Sequence, residues 1–213
     1  MDLVIRNETE KDFRAVEELT REAFWNYYVP GCVEHYLAHQ LRRHPDFIKE
    51  LDFVAETDGK IVGNIMYTRS WLVDESGQEQ EILTFGPISV LPEYQRKGIG
   101  SALISHTKRL ALAMGARGIV ILGDPHNYCK HGFKSARDLN ISDMNGEYPY
   151  GMLALELEAA ALAGHLWKYR YSPAYEIDEK DADEFDKSFV KKEKGYQYSQ
   201  EIFSIAVRSY VKP

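Results

Sequence analysis

The period of the apolar positions changes several times along the chain, and each change predicts an element. Residues 2–6 read as a short strand. Phe13, Val16, Leu19, Thr20 and Ala23 then recur at helical spacing, with Thr9 as the expected N-cap and acids in the first turn. A second helix is expected over about 33–43, set off by Pro30-Gly31 and interrupted before Pro45. Phe53-Val54-Ala55 and residues 60–71 are strand-like, and Asp58-Gly59 between them suits the positive φ angles of a tight hairpin turn. Residues 81–91 form another strand, broken by Gly86-Pro87. A proline there removes a ladder donor, so the strand should bulge or splay and leave a gap that a ligand could enter.

After Pro92-Glu93-Tyr94 a long helix is expected from about Gly98 to Met114, with Ile99, Ala102, Leu103, His106, Leu110 and Ala113 on one face and Gly115 as its stop. Residues 118–122 show no alternation, which predicts an interior strand covered on both faces and a parallel crossover. One helical turn over 127–130, ending at Gly132, and a strand over 152–157 complete an α/β core. The expected fold is a mixed central sheet of six to seven strands, antiparallel first and parallel later, over residues 1–158. From about residue 160 the character changes. A strand is expected within 165–171, and residues 176–187, with seven acids against two lysines, read as a solvated face or partly ordered linker. Ser199 is the expected cap of a last amphipathic helix bearing Ile202, Phe203, Ala206, Val207 and Tyr210. Residues 159–213 form a C-terminal extension, expected either to cover a substrate cleft or to build a homodimer interface.

Composition narrows the function classes. The chain has 213 residues and a formal net charge of −7, long enough for a full core without disulfides or metal. With no basic stripe, a nucleic-acid surface is not expected, and the acidic balance would tolerate a cationic substrate. Cys32 and Cys129 lie far apart with no C-x-x-C, which suits a reducing cytoplasm, and each is expected to act as a small core hydrophobe. No signal peptide and no membrane-spanning run is recognised, so a cytoplasmic protein with no membrane partner is expected.

The most informative stretch runs from Val90 to Leu103. A strand enters a glycine-containing loop that starts a helix, so successive backbone N–H groups and the positive end of the helix dipole converge on one point suited to a phosphate. Arg96 and Lys97 add positive charge, and the glycines admit close approach. A Walker loop would need a lysine between Gly100 and Ser101, and a dinucleotide fingerprint would need glycine where Leu103 stands.

The remaining pattern, Gln95-x-x-Gly98-x-Gly100 with its lead-in Pro92-Glu93-Tyr94, resembles the coenzyme A pyrophosphate loop of the GNAT N-acetyltransferase superfamily. Tyr128-x-x-x-Gly132-Phe133 resembles a second signature of that family, and within it the chain is most similar to a bacterial group of predicted acetyltransferases with mostly unassigned substrates. The resemblance implies that Ile88, Ser89 and Val90 pair with the pantetheine arm and direct a backbone N–H at the thioester carbonyl. It implies that Gln95, Arg96, Lys97, Gly98, Ile99, Gly100 and Ser101 form the pyrophosphate site, that Asn127 adds a coenzyme contact, and that Tyr128 is the general acid. Asn127 is equally placed to cap a short helix, and a phenol near pKa 10 can protonate a thiolate whose acid is near 8.5.

The general base is left open. Some members of the family use a glutamate on the strand before the loop, where this chain has Thr84; Glu81, Asp124, His126 and a chain of waters are the alternatives. His35 and His39 have an i, i+4 spacing that can ligate zinc, but no third ligand is evident and no metal is expected; a place in the substrate wall fits them better. His106 is expected to be a core histidine. The implied function is transfer of an acetyl group from acetyl-CoA, as co-substrate, to a primary amine in a ternary complex. The alternative is a non-catalytic acyl-CoA-binding or regulatory module.

Overall fold

The computed structural model describes residues 2–212. In chain order the elements are β1 (Val4–Asn7), α1 (Phe13–Phe24), α2 (Glu34–Leu41), β2 (Phe53–Thr57), β3 (Lys60–Val73), β4 (Glu79–Val90), α3 (Ile99–Ala113), β5 (Gly118–Leu122), α4 (Pro125–Tyr128), β6 (Lys134–Ser135), β7 (Ile141–Ser142), β8 (Met152–Glu156), β9 (Trp167–Arg170), α5 (Glu179–Asp186) and α6 (Tyr198–Ala206). The β2–β3 turn places Asp58 at φ +51° and Gly59 at φ +73°, the pair of positive angles that matches the twist of a two-residue hairpin.

One mixed sheet runs β1-β2-β3-β4-β5-β8-β6, and β9 pairs with the far end of β3 that β2 leaves free. It is larger than the six to seven strands expected, because β6, β7 and β9 add short pairings. Parallel pairing is also narrower than expected: it occurs between β4 and β5 and between β7 and β9, whereas β8 joins β5 antiparallel. Beside the hairpin-fed strands, β5 is reached through the α3 crossover, and this sets the single parallel junction of the main path.

Neighbouring β3 residues separate the two layers. Gly63 faces α3, where a Cβ would stand 3.0 Å from Ile99, while Asn64 meets Thr20 of α1. On the α3 side Ile65, Tyr67, Leu103 and Ile104 are buried, and the Tyr67 hydroxyl is satisfied by Thr107 at 2.9 Å. Thr107, not His106, takes the core position; His106 is half-buried, edge-on to Phe53 with ring centroids 4.7 Å apart. On the other face Met66 packs with Leu37, Leu41 and Ala174.

Several local expectations are corrected. α1 starts at Phe13, and the Thr9 hydroxyl donates to Asp12 at 2.7 Å instead of capping the helix. α6 starts at Tyr198 behind Gln197, and its stripe is largely uncovered, since Ile202, Val207 and Tyr210 are all exposed. Cys129 is exposed and Cys32 half-buried, so neither is a core hydrophobe. Residues 176–187 are no loose linker. They contain α5, whose Phe185 ring lies 4.5 Å from His39 and 5.6 Å from His35, and whose Asp186 accepts from buried Arg21 at 2.6 and 3.2 Å. The acidic composition predicts a solvated segment, but buried Ala182, Phe185 and the ion pair of Asp186 with Arg21 dock the helix on α1 and α2.

Asp186→Ala would strand the Arg21 guanidinium, which is 3 % exposed, without its carboxylate. Urea denaturation is expected to show a loss of about 1.5–3 kcal/mol, the range for a hydrogen bond to a charged group; an unchanged midpoint would mean that this contact does not hold α5 down.

Candidate active site

β4 is the strand around which the site is built. Ile65 faces Ile88 and Tyr67 faces Phe85, so Gly86 and Pro87 together oppose Met66 alone. The extra residue is a bulge, as the proline predicts. β4 and β5 share one facing pair, Leu83 with Ile119, before the strands part. Beyond that point the β5-facing edge of β4, including Ile88, Ser89 and Val90, has no strand partner. Ser89 points away from this opening, its hydroxyl donating to Thr20 at 3.2 Å, while Ile88 and Val90 lie near Gly100.

The loop after β4 is held by its own side chain, for Gln95 Nε2 donates to the Val90 carbonyl at 3.1 Å. Arg96 and Gly98 both take positive φ, +57° and +87°, which turns the chain into α3. The first amide of α3 to reach a helical carbonyl is that of Ala102, bonded to Gly98 at 2.9 Å. The amides from Gly98 to Ser101 are therefore the free donors of a fifteen-residue helix. A Cβ at Gly98 would meet open space, and one at Gly100 would make only ordinary contact, so the cradle in front of these amides is clear. Arg96 and Lys97 are exposed beside it, and the Ser101 hydroxyl lies 3.3 Å from His131 Nε2. This is a fitting seat for a pyrophosphate.

A cavity of about 370 Å³ opens at the bulge, between the splayed strands and α2. Gly86, Pro87, Ile88 and Thr84 of β4 line one side, and Tyr128 stands at its β5 side with Leu122. The Tyr128 ring packs against Gly123, where a Cβ would come within 2.5 Å of it, so that glycine is what lets the ring sit there. Burial pushes the Tyr128 phenol up to about 12, with the charge of Asp124 acting in the same direction.

The candidate bases separate clearly. Thr84 lines the cavity, but its hydroxyl is bonded to that of Tyr169 at 2.7 Å. Glu81 is exposed at the opposite end of β4, 3.7 Å from Arg69. Asp124 caps α4 by accepting from the His126 amide at 3.0 Å, which removes the capping alternative for Asn127; Asn127 and His126 are both exposed. His35 and His39 do not converge: the first lies 3.1 Å from Asp186 and the second 2.9 Å from Glu17. Among the lining residues the one carboxylate is Glu34, at the start of α2. It is half-buried, its Oε2 accepts from the Val33 amide at 3.0 Å, and desolvation raises its pKa above the ordinary 4.5. The clue in the sequence was its place one helical turn before Leu37, on the face that forms the cavity wall. The neighbouring His35 and His39 instead face α1 and α5.

The C-terminal segment supplies Tyr169, Tyr171 and Tyr175 to the same wall, and the end of α1 and the turn after it supply Phe24 and Tyr28. Nothing local in residues 165–175 marks them, because their role depends on β9 pairing with the far end of β3.

Comparison with known proteins agrees with this geometry. A family model described as an acetyltransferase (GNAT) domain matches residues 50–135. The N-alpha-acetyltransferase of Sulfurisphaera tokodaii is 33% identical over 112 residues, covering 48% of this chain and 67% of that protein. The uncharacterized N-acetyltransferase YjhQ of Escherichia coli is 35% identical over 85 residues, or 39% of this chain; the match spans 46% of YjhQ, less than half its length. The crystal structure of the N-acetyltransferase YhbS from Escherichia coli in complex with CoA superposes with a TM-score of 0.70 at 22% identity, over 81% of this chain and 91% of that one. Among the described residues no helix is long and apolar enough to cross a membrane. The chain belongs to the GNAT N-acetyltransferase family.

Proposed function

We propose that the protein transfers an acetyl group from acetyl-CoA to a primary amine by direct attack within a ternary complex. The observation that carries this is the meeting of three features at one opening: the unpaired edge of β4, the free amides of α3, and a cavity holding Glu34 and Tyr128. Acetyl-CoA, when bound, supplies the acetyl thioester. The amides from Gly98 to Ser101 hold the pyrophosphate, with Arg96 and Lys97 beside it, and the open edge at Ile88, Ser89 and Val90 pairs with the amides of the pantetheine arm. A backbone N–H of that edge meets the charge that develops on the thioester oxygen.

An alkylammonium near pKa 10.4 must lose a proton before its nitrogen can attack. Glu34 accepts it, and the raised pKa brings the carboxylate closer to that task. Tyr128 has a narrower role than general acid. With its phenol near 12 and a thiol near 8.5, complete transfer to the departing thiolate is uphill, so Tyr128 donates a hydrogen bond to the sulfur and keeps its proton. The departing thiolate takes its proton from solvent.

Glu34→Gln is expected to lower turnover by about 100-fold or more, measured as thiol release from acetyl-CoA. In the wild type, kcat/KM should rise with pH through a midpoint above the ordinary 4.5 as Glu34 ionises, and the variant should lack that limb. Stability should move the other way. A carboxyl whose folded-state pKa is raised binds its proton more tightly when native, so its ionised form destabilises the fold, and this cost fades as pH falls through the raised value. Glu34→Gln should therefore raise Tm at pH 8 and lose that advantage in acid. A flat pH profile for both proteins would remove Glu34 as the base.

Tyr128→Phe should lower kcat by about 10- to 100-fold while leaving acetyl-CoA affinity intact, as expected for one hydrogen bond to a developing charge. Gly123→Ala, which drives a methyl group into the Tyr128 ring, should reproduce part of that loss with Tyr128 still present. Gly100→Val should abolish acetyl-CoA binding in a calorimetric titration, because the branched side chain fills the phosphate's place; wild-type affinity there would overturn the loop assignment. Tight acetyl-CoA binding with no thiol release across a broad amine panel would favour a binding module over an enzyme.

A further inference from the structure

Seven of the fourteen residues lining the cavity are aromatic, and Glu34 is the one ionisable carboxylate or cation among them. The phenols carry no charge near neutral pH. Burial raises those of Tyr28 and Tyr175, and pushes those of Tyr128 and Tyr169 up to about 12. Two hydroxyls are already occupied, Tyr169 with Thr84 at 2.7 Å and Tyr175 with Thr68 at 3.4 Å, so these side chains offer the cavity ring surface more than donors. The lining is thus half aromatic around a single carboxylate, with no arginine or lysine to receive an anion.

From this lining we infer that the acceptor is a small primary amine carried on an apolar, preferably aromatic, body and bearing no carboxylate or phosphate. The inference rests on the acetyltransferase activity proposed above and specifies its substrate class. A monocation gains from both the rings and Glu34, and its body fills an apolar space at the small end of ligand-cavity volumes. An α-amino acid brings its carboxylate within a few ångströms of the same nitrogen, where it meets Glu34 and finds no counter-charge. A diamine carries its second charge into an apolar wall.

The test compares 2-phenylethylamine, L-phenylalanine, ethylamine and putrescine by thiol release at saturating acetyl-CoA, after calorimetry has established that acetyl-CoA binds. Phenylethylamine is expected to exceed phenylalanine in kcat/KM by at least about 100-fold, since a site without a partner for a buried charge rejects it strongly, and ethylamine by about 10-fold. Turnover of phenylalanine or putrescine within about threefold of phenylethylamine, or of those amines alone, overturns the inference and leaves the acetyltransferase intact. Absence of acetyl-CoA binding overturns the acetyltransferase itself.

If acetyl-CoA binds and no amine in the panel reacts, benzyltrimethylammonium and benzenesulfonate, neither of which can be acetylated, are titrated onto the CoA-bound protein. Binding of the cation alone supports the cavity's selectivity; binding of the anion, or of neither, overturns it. Tyr171→Arg adds a cation at a lining position that is 46% exposed and therefore tolerant of change. It should raise the phenylalanine-to-phenylethylamine ratio by about 10-fold or more, and an unmoved ratio in a folded variant counts against the inference.

Discussion

A strand that parts from its neighbour leaves backbone N–H and C=O groups without partners, and the whole site is arranged around that fact. β4 stays paired to β3 along its length yet keeps only Leu83 in register with β5. The bulge at Gly86-Pro87 makes this possible: an extra residue bends the strand where the proline has no N–H to lose. Downstream, the same strand delivers the loop and the α3 N-terminus, so the free amides of the helix and the free edge of the strand belong to one continuous surface. A ligand with a phosphate at one end and peptide-like amides along its arm satisfies both, which is how the proposed co-substrate fits a defect in the sheet.

The acid–base chemistry depends on a less obvious constraint. α2 spans only eight residues, too few to be stable alone, yet it must hold Glu34 against the cavity. Its far end is fixed by Arg42, which is buried between Glu8 at 2.7 Å and Glu17 at 3.0 Å, and its outer face is held by Phe185 of α5. Asp52, buried beside Glu8, is pushed up to about 9 by desolvation and by that neighbouring carboxylate, so the network carries its charge balance internally. Rigid support far from the chemistry is what a half-buried carboxylate with a raised pKa requires. Left mobile, Glu34 would turn to water and recover an ordinary pKa.

Much of this was legible in the sequence where the signal was local. The Asp58-Gly59 turn, the proline interruption of β4, the loop of Gln95, Gly98 and Gly100, and Gly115 at φ +84° ending α3 each act through one or two residues whose backbone preferences dominate. Features decided by tertiary contact were not legible. Thr9 and Ser199 look like caps, but the first bonds Asp12 and the hydroxyl of the second finds no partner. His106 and Thr107 differ by one position on a helix, and only the Tyr67 hydroxyl across the sheet decides which is buried. The acidic run of α5 has the composition of a solvated segment, because composition cannot register that Arg21 lies buried beneath it.

Thr84 joins these threads. It stands at the strand position where the family resemblance suggests a glutamate, and here its hydroxyl is bonded to Tyr169 from the C-terminal segment. A carboxylate at that point would put a charge into a wall whose lining has no cation to balance it. With the base proposed at Glu34, across the cavity on α2, the β4 side stays neutral where Tyr169 of β9 packs against it. On the proposed reading, the position of the base and the aromatic character of the wall are linked: the C-terminal segment lines the cavity with tyrosines on the β4 side, and the one carboxylate enters from α2 on the other.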